Sequence, residues 1–273
     1  MARLFKRGAL VAISDRQFSV RISFQVEKGS TKEANKGQVS LYNLSDDSRG
    51  FVERSAKTKT VPGQNLRLIA GYDDQLALLF SGNISRVANS RSGPDLVTTI
   101  ECGDGEVALQ NSYIILSYKE GVSEATIIRA AIEALKALGL REGSIETFAA
   151  REYKSGFAYS GSAGKLLERL AKNQGMEFSI QDGLIQIIKI DSSTKESAID
   201  LNENTGLVGF PTKTNEGFQA KSLLNPAIRP GRKAVLTSTQ TSLNGTYLIR
   251  KVVHQGDTLE GDFSTSMEGK LLG

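Results

Sequence analysis

The first and last thirds of the chain carry the same ordered set of turn and strand signals, and the middle third lacks it. Each set has a Pro-Gly pair before a strand-like run, a glycine that opens a second run, and a basic residue directly before valine. Glycine suits turns that need a positive φ, which strains other residues. The matching positions are Pro62-Gly63 with Pro230-Gly231, Gly82 with Gly245, Arg86-Val87 with Lys251-Val252, and Gly93 with Gly256. This repeat predicts one β-rich unit folded twice.

Short runs in which hydrophobic and polar residues alternate support a β fold for both outer thirds. In the last third, alternation over residues 247–253 and a run at 262–267 predict strands. The strands predicted in the first third are 18–26, 38–41, 65–71, 76–84 and 96–102. The polar stretch 43–60 is long for a hairpin loop, so we expect it to be an arm available for contacts.

Residues 106–200 have a different pattern, which predicts two helices and a hairpin. Ser123 and Ser162 are candidate N-caps, and each precedes hydrophobic residues at three- and four-residue spacing. Asp182-Gly183 between two hydrophobic runs is typical of a type I′ hairpin turn. The predicted fold is therefore mainly β with an α/β insert. Its domains are a β-barrel over 1–105, a small ααββ-type middle domain over 106–200 and a second β-barrel over 201–273.

The composition excludes most metal and thiol chemistry. The 273 residues include one cysteine, Cys102, and one histidine, His254, whereas zinc sites and Cys/His pairs need several such side chains. We expect Cys102 to be a small buried residue and His254 to be an ordinary surface histidine. The sequence therefore predicts no metal and no cofactor.

Two acidic groups are the remaining candidates for catalysis, and neither carries a convincing enzyme signature. We expect Asp73-Asp74 to cap a turn, and Glu101, Asp104 and Glu106 to decorate a glycine-rich strand exit. The segment Gly161–Lys165 lacks the spacing of a phosphate-binding loop, so we interpret it as a flexible start and cap of the second helix. We predict no catalytic residues and no enzymatic activity.

The charge distribution is too dilute to indicate a nucleic-acid-binding protein. Residues 1–100 carry 15 Lys/Arg against 9 Asp/Glu, without a dense basic stripe. The basic N-terminus precedes an apolar stretch too short for a secretory leader, and no run approaches the roughly 18 apolar residues of a membrane span. We expect no integral membrane segment, and a protein that stays in the compartment where it is made.

The residue patterns of three segments resemble those of the baseplate hub proteins of phage tails. They are also similar to the late-control protein of contractile-tailed phages and to the corresponding part of type VI secretion spike proteins. The resemblance rests on the order of these segments along the chain and on their residue patterns rather than on a catalytic signature. The segments are PGQNLRLIAGYDDQLALLFSGNISRV, GSAGKLLERLAKNQGMEFSIQDGLIQIIK and GLVGFPTKTNEGFQAKSLLNPAIRPGRKAVLTS.

The resemblance implies two barrels similar to the tail-tube subunit on either side of an α/β insert, and a homotrimer that closes into a ring. Six similar barrels would match a sixfold tail tube, and the threefold end would match a spike. Implied partners are the tube or distal tube-initiator protein, the central spike protein and other baseplate proteins, with DNA passing only transiently through the lumen. The implied location is the virion tail baseplate, after synthesis in the host cytoplasm. Two alternatives are a glycan-binding or glycan-hydrolysing module of the same machine and a basic nucleic-acid-binding protein.

Overall fold

The computed structural model describes residues 6–30, 35–57, 65–73, 75–194 and 196–272, and within them the protein is mainly β. The helices are α1 (Asp46–Lys57), α2 (Glu106–Asn111), α3 (Glu124–Lys136) and α4 (Ala163–Asn173). The strands are β1 (Arg7–Ile13), β2 (Arg16–Phe18), β3 (Ile22–Gly29), β4 (Lys36–Tyr42), β5 (Leu66–Tyr72), β6 (Gln75–Ser92), β7 (Asp95–Gly103), β8 (Tyr113–Tyr118), β9 (Val122–Ser123), β10 (Arg141–Ile145), β11 (Glu152–Tyr153), β12 (Phe157–Ser162), β13 (Met176–Gln181), β14 (Leu184–Lys189), β15 (Ile199–Leu201), β16 (Leu207–Lys213), β17 (Gly217–Leu223), β18 (Lys233–Leu236), β19 (Gly245–Asp257) and β20 (Phe263–Leu271).

Thirteen of the described strands form one sheet, and its two halves have the same strand order. The hydrogen-bonded path is β16-β17-β20-β19-β3-β4-β7-β6-β5-β1-β2, while β18 pairs with β19 and β15 pairs with β18. The order β3-β4-β7-β6-β5 is thus matched by β16-β17-β20-β19-β18, antiparallel at every step. This order agrees with the predicted duplication. The path through the described strands stays open, so neither half is seen as a closed barrel.

The strand registers define which residues of the two halves are equivalent. The β6–β7 ladder has a bulge between Ile84 and Arg86, and the β19–β20 ladder has one between Ile249 and Lys251. The bulges lie at the same place in the two ladders, so Arg86-Val87 corresponds to Lys251-Val252, as the sequence predicts.

The predicted equivalence of the glycines is wrong. Counted from the bulges, Gly82 corresponds to Tyr247, and Gly256 corresponds to Arg91. Gly82 lies inside β6, where a Cβ would come within 2.7 Å of the Phe80 ring.

A Cβ on Gly256, inside β19, would come within 2.7 Å of the Phe24 ring. Both glycines are therefore required by packing rather than by turns. Gly93 and Gly231 do have positive φ, at 59° and 84°, whereas Pro62-Gly63 lies outside the described residues.

Three clusters of buried hydrophobic residues follow the chain in order. The first joins β1–β7 and α1, and it also takes in Leu224 and Phe263 from the last third. The second lies between α3, α4 and the β13–β14 hairpin, and the third lies among β15–β20. Phe263 packs edge-on against Phe24, with ring centroids 5.7 Å apart, so the two halves of the sheet share a core.

The middle segment has the predicted helices and hairpin. Ser123 Oγ accepts a hydrogen bond from Thr126 N, and Ser162 Oγ accepts one from Lys165 N. Asp182 and Gly183 have φ values of 55° and 79°, which suit the predicted turn between β13 and β14.

The polar stretch 43–60 of the first third contains helix α1, because Ser45 Oγ accepts a hydrogen bond from Ser48 N and Val52 is fully buried against the sheet. That this stretch contacts other proteins stays a prediction. One expectation for the first third is wrong. The alternating run 18–26 is not one strand, since β2 ends at Phe18 and β3 begins at Ile22.

A buried polar cluster fixes the middle segment to the first half of the sheet. The Lys28 ammonium of β3 lies 2.7 and 2.8 Å from the two carboxylate oxygens of Asp182, and these side chains are 1% and 6% exposed. The Asp104 carboxylate accepts hydrogen bonds from the backbone N–H groups of Asp182 and Gly183 and from Asn35 Nδ2. The expectation that Asp104 decorates a surface exit is wrong, because it is fully buried beneath this hairpin.

We predict that Lys28→Met lowers the free energy of unfolding by about 3 to 5 kcal/mol, because the substitution removes the cation that is paired with the buried Asp182 carboxylate. Lys189→Met, at an exposed position of β14, is the matched control and should change this free energy by less than about 0.5 kcal/mol. Chemical denaturation measures both. Equal effects of the two substitutions would contradict the role of the cluster.

Asp104 should also leave a signature in the pH dependence of stability. Burial raises the pKa of this carboxyl from 3.8 to about 6; the nearby Asp182 carboxylate also raises it, while Lys28 and the two backbone N–H groups oppose the rise. A carboxyl with a higher pKa in the folded chain binds protons more tightly there, so its contribution to stability is largest at low pH and is lost as the pH rises.

We therefore predict that the free energy of unfolding of the native chain, minus that of Asp104→Asn, decreases as the pH rises from about 4 to about 6. Denaturation curves of the two proteins at a series of pH values test this. A difference that stays constant or grows over this interval would exclude the assignment.

Candidate assembly interface

The structure places both the Cys102 thiol and the His254 imidazole in buried positions. Cys102 is buried, as expected, and burial raises the pKa of its thiol. The expectation that His254 is a surface residue is wrong: it is fully buried, its Nδ1 lies 2.9 Å from Thr265 Oγ1, and burial and then the charge of Lys28 hold its pKa well below 6.5. A neutral imidazole in a core position is a structural residue.

The acidic candidates lie in different local environments and make different contacts. Glu101 is exposed and lies 3.6 Å from Arg86, and Glu106 begins α2 and accepts a hydrogen bond from Gln110. Asp73 lies in the β5–β6 turn with φ 49°, and Asp74 lies outside the described residues.

Within the described ranges, no three His, Cys, Asp or Glu side chains are arranged to hold a metal ion. In the same part of the chain, no helix has the length and apolar character needed to cross a membrane.

The feature that stands out is a seam inside the chain where the two halves of the sheet meet. Residues Lys251–Asp257 of β19 pair antiparallel with Gly29–Ser23 of β3, in seven consecutive positions. β19 therefore uses both edges, one toward β20 and the other toward β3. We refer to this pairing as the intrachain seam.

The repeat has a second copy of each partner of this seam, and among the described strands neither copy has a strand opposite it. The segment of β6 equivalent to Lys251–Asp257 is Arg86–Ser92, which pairs with β7 on one side. The strand equivalent to β3 is β16, which pairs with β17 on one side. Among the described residues, no strand pairs with the other side of either segment. We call these the acceptor edge (Arg86–Ser92) and the donor edge (Leu207–Lys213).

Burial at equivalent positions records the difference between a covered and an uncovered edge. His254 of β19 is fully buried, whereas its equivalent in β6, Asn89, is exposed. The two side chains nevertheless make the same cross-strand contact: Asn89 Oδ1 accepts a hydrogen bond from Thr98 Oγ1 at 2.8 Å, and His254 meets Thr265. The positions are thus alike in local structure, and β3 covers the second but not the first.

The exposed face of the sheet repeats a row of polar residues across the strands. In the first half, Gln38 of β4, Glu101 of β7 and Arg86 of β6 lie side by side. In the second half, the equivalent row is Gln219, Glu268 and Lys251. Each row pairs one carboxylate with one cation, so its charge is balanced.

The family model described as baseplate hub gp41 matches residues 9–269. The chain belongs to this family. The resemblance noted in the sequence to phage tail hub proteins is thereby confirmed. No curated protein matches the sequence closely enough to report.

Solved structures of tail and secretion proteins have a similar fold. The 43 kDa tail protein of prophage MuSo2 from Shewanella oneidensis has a TM-score of 0.65 and 8% identity, covering 96% of this chain and 97% of that one. The Escherichia coli c3393 protein, described as a component of the type VI secretion system, has a TM-score of 0.62 and 12% identity, covering 93% and 74%. A chain of the Francisella PdpA-VgrG complex has a TM-score of 0.60 and 7% identity, covering 99% and 59%. At these identities the likeness shows the fold alone.

Sequence reasoning missed the two free edges, although one signal for them was present. Arg86-Val87 and Lys251-Val252 directly follow the bulges in β6 and β19, so this basic-valine repeat aligns the two strands correctly. Nothing in the sequence indicates that β19 pairs with β3 within the chain whereas the equivalent segment of β6 does not pair with β16 among the described strands. That difference is a property of the tertiary arrangement.

Proposed function

We propose that this protein is a structural baseplate hub protein, that three copies form a pseudo-sixfold ring, and that the ring joins a sixfold tail tube to a threefold spike. Its work is binding rather than catalysis. The observation that carries the proposal is the intrachain seam together with the two free edges. Membership of the baseplate hub family supports the location in the virion tail.

The free edges are complementary because the repeat makes them so. Within one chain, the first half supplies a donor strand, β3, to an acceptor strand of the second half, β19. Between chains, the second half would supply β16 to the acceptor edge of β6 in the next copy. Such a heterologous contact, repeated with the same rotation as the intrachain seam, closes into a ring. It also removes exposed edges, which otherwise invite uncontrolled pairing.

The register of the interchain pairing follows from the equivalences. Ser90 is equivalent to Gln255 and Thr212 is equivalent to Gln25, and Gln255 lies opposite Gln25 in the intrachain seam. Ser90 of one chain should therefore lie opposite Thr212 of the next. Both residues are exposed in the single chain. Main-chain hydrogen bonds along this register would supply much of the contact, as in other cases of strand addition.

In this ring, we propose three units in each chain: a tube-like barrel over 1–105, a middle domain over 106–200 and a second barrel over 201–273. Six barrel units would face the tail tube or the tube-initiator protein, and the threefold side would face the central spike and other baseplate proteins. The similarity of the fold to a chain of a PdpA-VgrG complex supports the spike-facing role.

The exposed face with the rows Gln38-Glu101-Arg86 and Gln219-Glu268-Lys251 would line the channel. A balanced polar wall lets DNA pass with weak contact, because tight binding of a polyanion needs a net excess of cations.

A disulfide cross-link tests the ring and its register. We predict that Ser90→Cys combined with Thr212→Cys in one chain gives, on mild oxidation, covalent dimers and trimers and nothing larger. Directly opposed residues of antiparallel strands have Cα atoms about 4.5 to 5.5 Å apart, which suits a disulfide. The readout is a denaturing gel without reductant, with native mass measurement of the unmodified chain.

Two matched controls accompany this experiment. Gln25→Cys with Gln255→Cys should form the equivalent disulfide within one chain and leave the mass unchanged. Arg86→Cys with Thr212→Cys is out of register by four residues and should not cross-link efficiently. A native chain that stays monomeric at tens of micromolar, or a ladder that continues beyond three, would overturn the proposed ring.

A further inference from the structure

The donor edge contains a local irregularity that its counterpart in the first half lacks. β16 pairs with β17 through Leu207 and Val208 and again through Thr212 and Lys213, with a register shift between them. Between the positions equivalent to Ile22 and Gln25, β16 has two more residues than β3. Gly209, with φ 69°, starts this bulge.

The bulge leaves a phenylalanine in solvent. Pro211 is buried, as Phe24 is at the corresponding place in β3, so the core position is filled without Phe210. Phe210 is 77% exposed, more than any other large hydrophobic side chain in the part of the chain that the structure describes. Val208, on the same edge, is 45% exposed. An exposed aromatic ring next to an unpaired strand edge is typical of an association surface.

The acceptor edge provides space where this ring would arrive. The exposed face of β6 carries Ala88, Ser90 and Ser92 on this segment, all of them small. The equivalent positions of β19 carry larger residues, and there the opposing strand β3 has no bulge: they are Val253, Gln255 and Asp257. Thus the strand with small side chains is the one whose expected partner carries the extra phenylalanine.

We propose that Phe210 packs against Ser90 and Ser92 of a second copy of this chain and is the side-chain anchor of the interchain contact. This inference rests on the ring proposed above and adds the residue that distinguishes its two kinds of seam. Three seams lie within chains and have a regular register, while three lie between chains and contain the bulge. The Phe210 contact would therefore occur at three of the six seams. The strands would be arranged with sixfold symmetry, and the side-chain contacts between them with threefold symmetry.

The test compares Phe210→Ser with the native chain and with Ile115→Ser, a matched control that removes a hydrophobic side chain 75% exposed in the middle segment. Sedimentation velocity over a concentration series measures the midpoint of assembly. We expect Phe210→Ser to raise this midpoint at least tenfold and Ile115→Ser to change it less than twofold. Thermal unfolding of the monomer should be unchanged by either substitution, because both side chains are exposed.

A second variant tests the partner of the ring. Ser90→Gln introduces the residue that β19 carries at the equivalent position, so the strand should accept it, but it fills the space expected for Phe210. It should raise the assembly midpoint in the native chain and have little further effect in Phe210→Ser, since coupled residues are not additive.

A native chain that fails to assemble overturns the ring, and the anchor with it. Equal assembly midpoints for the native chain and Phe210→Ser would overturn the role of Phe210 as the anchor and leave the ring proposal standing. Independent effects of Phe210→Ser and Ser90→Gln on the midpoint would have the same consequence. Loss of binding to a spike or tube protein with an unchanged trimer would assign Phe210 to that partner and likewise reject its place between copies.

Discussion

The hydrogen-bonding requirement of strand edges governs this structure. A strand in a sheet has two edges, and each unpaired edge presents backbone donors and acceptors that another strand can satisfy. β19 satisfies both of its edges within the chain, one with β20 and one with β3. The equivalent segment of β6 has one edge satisfied among the described strands. One chain therefore contains the paired intrachain seam, and it also contains the acceptor edge and the donor edge, which are equivalent to the two strands of that seam. Our functional proposal is that these two edges pair between chains in the same way as β19 and β3 pair within the chain.

Much of the fold could be predicted from the sequence wherever local chemistry decides the structure. The caps Ser123 and Ser162, the Asp182-Gly183 turn and the β-rich outer thirds depend on residues close in sequence, and their patterns are specific. The predictions that failed depend on contacts distant in sequence. His254 is buried where β3, Thr265 of β20 and the backbone of Ile228 surround it, and Asp104 is buried because a hairpin 78 residues later folds over it. Neither partner leaves a mark near the residue that it covers.

The glycines illustrate the same limit from the other side. The sequence pattern correctly marks Gly82 and Gly256 as unusual positions, but turns are not the reason. Each lies within a strand, beneath an aromatic ring that a Cβ would strike: Phe80 for the first and Phe24 for the second. A sequence pattern identifies a position that tolerates no side chain more readily than it identifies what occupies the space. For the candidate interface, similarly, the repeat could be found from the sequence, whereas the unequal coverage of its two copies could not.

Duplication within one chain changes the thermodynamics of building a ring. If six separate subunits assembled, each of six junctions would require association from solution, with its loss of translational and rotational freedom. Here the intrachain seam forms during folding, because the two halves are tethered and their effective concentration is high. In the proposed ring, three junctions would then remain for association. Sequence divergence between the halves becomes possible as well, since β3 and β16 are no longer constrained to be identical. The bulge at Gly209 and the exposed Phe210 are a divergence of this kind: they lie on the strand that would pair with another copy in the proposed ring, and they are absent from β3, which pairs within the chain.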